Sequence, residues 1–189
     1  GMTEGGTRKM DSQEHFVKVA QRLISNLVTP TGAGRAYEID TRLRPSGNAG
    51  MLVVSHDAFQ KYHEQQAQIW EAQALLRTRP VAGDLKFGNR LRELKNQILF
   101  SHPPRPDLAS EISRMRDRME QELCGSDATH LDIKLDAGGI VDGEFLAQFL
   151  ALRWGHEHVG IRQPKTTQIL RFAHETGLAT GLDTALEAY

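Results

Sequence analysis

Tyr37-Glu38-Ile39-Asp40-Thr41-Arg42-Leu43-Arg44-Pro45-Ser46-Gly47 is the stretch on which the fold turns. At period two it separates into two faces: Tyr37, Ile39, Thr41 and Leu43 on one, Glu38, Asp40, Arg42 and Arg44 on the other. Pro45 to Gly50 is dense in turn residues and Met51 to Val54 is a short apolar run, so the segment predicts a β-hairpin with one face toward a core. Its charged face admits two readings. The carboxylates and guanidinium groups can satisfy one another on a solvated strand at a sheet edge. They can also serve a polyphosphate and its metal, because carboxylate oxygens suit Mg²⁺ and arginine forks suit phosphate. Spacing alone does not choose between them.

Working outward, the flanks read as helix. Asp11 and Glu14 have capping-box spacing ahead of a helix from Ser12 to Leu27, whose stripe Phe16, Val19, Ala20, Leu23, Ile24 and Leu27 predicts core packing. After the hairpin, Ser55 or Asp57 can cap one helix reaching Arg77, with Trp70 as a core anchor. Pro80 and Gly83 break it. A further helix spans Asp84 to Phe100, and Ser101 to Pro106 is a stiff proline linker. Asp107 opens a charged helix to Leu123 with Leu108, Ile112, Met115, Met119 and Leu123 as its seam. An apolar helix from Val141 to Trp154 follows, then shorter ones near Pro164–Thr176 and Leu182–Ala188. The fold class expected is α+β, mostly α, with a polar lead at 1–10, a helix-plus-hairpin part at 11–56 and a helical bundle at 57–189.

At 189 residues the chain can bury a sizeable core. A net charge of −1 gives no electrostatic case for nucleic acid as the main partner. The single cysteine, Cys124, cannot form an internal disulfide, which fits the cytoplasm, and no apolar run approaches a membrane span of ~20 residues. Gly1-Met2 looks like a tag remnant. His156-Glu157-His158 would not converge two rings on one ion from a helix, and reads as a solvated helix end.

Two blocks decide the functional reading. The first is YEIDTRLRPSG with Gly50-Met51-Leu52-Val53 and then Trp70-Glu71-Ala72-Gln73-Ala74-Leu75 before Arg77 and Arg79. The second is Asp132-Ile133-Lys134 through Gly138-Gly139-Ile140 to Asp142-Gly143-Glu144-Phe145, with Gln148. Together they resemble the glutamine synthetase adenylyltransferase family, in order, from about Phe16 to Leu178; Gly143 stands where that family carries isoleucine.

The resemblance implies a polymerase-β-like nucleotidyltransferase using ATP and Mg²⁺ to place AMP on a tyrosine of glutamine synthetase. A PII-type signal protein is a second implied partner. Asp40 matches the family's third metal carboxylate, so it is the implied catalytic and metal-binding residue; the G-S-D-x-D motif that supplies the others does not precede it. The sheet is therefore expected as a remnant, and the isolated chain as inactive. Arg42, Arg44, Arg77 and Arg79 are candidate nucleotide contacts, Arg42 and Arg44 being equally able to pair with Glu38 and Asp40. Lys134, Asp136, Asp142 and Glu144 around the Gly138-Gly139 turn form a second candidate site, with helix capping by Asp142 and ion pairing as the alternative. Met115-Arg116-Asp117-Arg118-Met119 resembles the C-terminal, adenylylating half. The competing readings are a helical module that docks glutamine synthetase or the signal protein, and a nucleotidyltransferase with another acceptor.

Overall fold

The computed structural model describes residues 11–34, 37–123 and 132–181, and the chain divides into two compact units, one ending at Gln65 and the other beginning at Gln66. Cys124 and the expected helix at Leu182–Ala188 lie outside the described residues.

The first unit holds α1 (Ser12–Val28), an extended stretch, one 3₁₀ turn at Gly47–Ala49 and α2 (His56–Gln65). Asp11 occupies the N-cap of α1 but makes no side-chain cap bond, and Glu14 instead pairs with Lys18 at 2.8 Å. The expected hairpin is not formed: among the described residues there is no strand, only an isolated bridge between Thr31 and Gly34. A ladder needs a partner for each backbone N–H and C=O, and here Arg44, Gly47 and Gly50 turn theirs inward, onto Arg42, Arg44 and Gly47. The turn is tight enough that a Cβ on Gly50 would lie 1.9 Å from the Pro45 carbonyl oxygen. Without a sheet, the two faces read from the sequence are not sorted into core and solvent. Tyr37, Ile39 and Leu43 are exposed, as are Phe16, Val19 and Leu23 of the α1 stripe that was expected to be core.

The second unit is a helical bundle of α3 (Ile69–Leu76), α4 (Leu85–Phe100), α5 (Leu108–Leu123), α6 (Ile140–Trp154) and α7 (Thr166–Glu175), with a 3₁₀ turn at Val159–Ile161. The single helix expected over Ser55–Arg77 is two helices. Gln68 is extended, its backbone N–H bonds the Glu71 carboxylate at 2.9 Å, and the Trp70 indole N–H donates to its side-chain oxygen at 3.0 Å. That arrangement starts a new helix in the middle of an apolar pattern. It also takes Trp70 to the surface, 37% exposed, in place of the core role expected of it.

α6 is apolar on nearly every side, which suits a helix surrounded by others. On one side Ala147, Leu150 and Ala151 meet Ile161 and, from α7, Ile169, Leu170 and Ala173. On the other, Leu152 packs with Ile69 of α3 and with Leu108 and Ile112 of α5. Each such leucine or isoleucine contributes about 1.5–3 kcal/mol on leaving water.

Candidate functional site

Asp40 is exposed, and Arg42 closes on it. Arg42 donates Nε at 3.0 Å to both carboxylate oxygens and Nη2 at 2.7 Å to Oδ2, while its backbone N–H reaches Oδ1 at 2.8 Å. These bonds, the side-chain ones foremost, stabilise the anion and hold the carboxyl at about 2, below its ordinary 3.8. Of the two readings of the charged face, the geometry places Arg42 as Asp40's partner. Arg44 turns the other way, donating Nη1 to the Thr41 carbonyl and, at 3.0 Å, to the Thr41 hydroxyl, so it braces the turn.

The residues described do not by themselves make a magnesium site. Both Asp40 oxygens are engaged by arginine, and among the described residues no group of three His, Cys, Asp or Glu side chains is placed to hold a metal. His156 and His158 lie past the end of α6, and His156 is not the solvated residue expected: its side chain is mostly buried, with Nε2 at 2.9 Å from Glu157.

The second block folds into a compact knot. Asp132 Oδ1 accepts the backbone N–H groups of Lys134 at 2.8 Å and Leu135 at 3.1 Å, and Asp136 Oδ2 accepts that of Asp132 at 2.8 Å. Gly138 sits at φ +81°, and a Cβ on Gly139 would lie 2.8 Å from the carbonyl oxygens of Asp136 and Ile133. The glycine pair is thus required by the loop's own backbone. Gly139, not Asp142, is the N-cap of α6; Asp142 sits in the first turn and accepts the Gly138 N–H at 2.6 Å.

Arg116 completes the knot. It continues the buried row Leu108, Ile112 on α5 and is itself 9% exposed. Its Nε pairs with Asp142 Oδ1 and its Nη2 donates to the Leu135 carbonyl at 2.8 Å. A second tie runs through Arg77, whose Nη2 lies 3.0 Å from Glu144 and 3.3 Å from the Thr166 hydroxyl, joining α3, α6 and α7. Gln73 and Gln148, one from each sequence block, meet at 2.9 Å in the interior. Asp136 is half-buried in the knot, Lys134 is exposed on it, and Arg79 is exposed beyond α3. Asp142 and Glu144 are therefore occupied by arginines. The sequence names Arg116 only within the Met115–Met119 string, and its buried role is carried by the spacing of four from Ile112.

The chain is similar in sequence to proteins described as adenylyltransferases. Residues 1–94 match the family model described as glutamate-ammonia ligase adenylyltransferase. Over 178 residues, 94% of its length, the chain is 40% identical to the bifunctional glutamine synthetase adenylyltransferase/adenylyl-removing enzyme of Thioalkalivibrio sulfidiphilus. The chain belongs to the glutamate-ammonia ligase adenylyltransferase family. It spans 18% of that relative's length.

Proposed function

We propose that this chain is part of an enzyme that transfers AMP from ATP to a tyrosine of glutamine synthetase, and that it comes from the adenylylating half. The observation that carries the reading is the 40% identity running through both sequence blocks to a protein named for that activity. A PII-type signal protein is the regulator that the same reading brings with it. The extended stretch around Asp40 then serves as one strand of a nucleotidyltransferase sheet completed by residues outside this chain. The exposed apolar side chains of α1 and of Tyr37, Ile39 and Leu43 support this, since a sheet would cover such surfaces.

Asp40 is the catalytic carboxylate in this reading. A carboxyl held at about 2 is a poor general base at neutral pH, so its part is to orient the acceptor hydroxyl and lend negative charge. Magnesium, if the intact enzyme holds it here, supplies neutralisation of triphosphate charge, and its remaining oxygen ligands come from elsewhere. Arg42 then shares its fork between Asp40 and phosphate, and Arg44 sets the turn. Arg79 and Lys134, both exposed, are the remaining candidates to face nucleotide, whereas Arg77, Asp142, Glu144 and Asp136 belong to the scaffold.

Transfer of labelled AMP tests this. The isolated chain should give none. In the intact enzyme Asp40→Asn should cut transfer on the order of a hundredfold, the scale of one preorganised polar contact, and leave AMP removal by the other half unchanged. Full activity of either sample refutes the assignment.

A further inference from the structure

Between Thr78 and Lys95 the chain carries five basic residues against two acidic ones, a net +3 in a protein whose total is −1. Asp84 is not free to offset them, because its side chain caps α4 by accepting the Phe87 N–H at 2.7 Å. Lys95 faces inward, donating to the Thr78 carbonyl at 3.2 Å and the Leu76 carbonyl at 3.4 Å. Lys86, Arg90 and Arg92 remain exposed on the first two turns of α4. Arg90 stacks over the Phe87 ring at 5.4 Å, which holds its guanidinium near that face.

Apolar side chains stand among these charges. Val81 is 82% exposed and Leu85 83%. Leu85 shares the solvent side of α4 with Asn89 and Arg92, four and seven residues on. Pro80 packs against Gly88, so the loop carrying Val81 is fixed to the helix that carries Leu85. Two aliphatic side chains almost wholly in water, with exposed Lys86, Arg90 and Arg92 on the same loop–helix corner, have the composition of a docking surface for an acidic partner, even with Glu93 beside them and Arg92 donating to Asn89 Oδ1 at 2.7 Å.

We propose that this corner binds an acidic, apolar-bearing surface of the acceptor protein, glutamine synthetase, and thereby sets acceptor affinity; this rests on the reading above. Aliphatic anchors favour a folded protein over nucleic acid, whose exposed faces are charged backbone and base edges.

The test uses the intact enzyme with Val81→Ser/Leu85→Ser and, separately, Lys86→Glu/Arg90→Glu/Arg92→Glu. Steady-state AMP transfer should show KM for glutamine synthetase raised about tenfold or more, with kcat and KM for ATP unchanged and the effect shrinking at high salt. An unchanged KM for glutamine synthetase overturns the inference while the function stands. A change confined to KM for ATP, or lost binding to phosphatidylserine vesicles with acceptor KM intact, also overturns it. No AMP transfer by the unsubstituted enzyme fells the functional reading and the inference with it.

Discussion

Replacing Arg116 by alanine removes the cation that closes the Asp132–Asp142 knot. The substitution deletes the pair with Asp142, the bond to the Leu135 carbonyl and the packing of a long stem beside Ile112. Breaking a buried ion pair typically costs about 3–5 kcal/mol, because the surviving charge stays desolvated. Here the Asp142 side chain is 37% exposed and keeps the Gly138 N–H, so water recovers part of that and about 2–3 kcal/mol is expected. For a helical unit of this size that lowers Tm by about 10 °C. Circular dichroism melts of Arg116→Ala, Asp142→Ala and the double variant measure both the loss and its source. The double-mutant cycle should return a coupling of about 1–2 kcal/mol between the two positions. A Tm shift below about 3 °C, or additive single effects, would mean that the pair does not hold the loop, and the scaffold role given to Asp142 would be wrong.

Gly139→Ala should destabilise the second unit by about 2 kcal/mol or more, since the added methyl meets two backbone carbonyl oxygens at 2.8 Å; urea unfolding reads it, and a neutral result contradicts the loop geometry. Asp40 should titrate by carbon-detected NMR with a midpoint at about 2, and Arg42→Ala should move it up toward 3.8. The sign follows from a depressed folded-state value. Whatever stability the pair lends is present above pH 3.8 and lost as pH falls through about 2, so it stays constant between pH 5 and 8.

The bundle was legible because its helices announce themselves by apolar spacing and by breakers. The expected Asp84–Phe100, Asp107–Leu123, Val141–Trp154 and Pro164–Thr176 helices lie within two residues of α4, α5, α6 and α7. The hairpin misled because alternation describes how side chains would sort on a sheet, whereas forming one depends on partners for the backbone. The break before α3 was also written in the sequence, as Gln68 and Glu71 at capping-box spacing, but the apolar pattern running across it spoke louder. The buried role of Arg116 is hidden in the sequence for a related reason. An arginine on a helix stripe reads as solvent, and only the fold reveals the carboxylate and carbonyl waiting opposite it. Nothing in residue spacing separates Asp40, the carboxylate proposed for phosphate chemistry, from Asp142 in the scaffold; both sit against arginine.

The distribution of the core has a consequence for any ensemble experiment on this chain. Every buried hydrophobic residue described falls between Ile69 and Ala173, so cooperativity belongs to α3–α7 alone. Neither α1 nor α2 has a buried residue. A single melting curve is then a record of the later bundle, and amides in α1 would trade their protons for deuterium long before those in α6.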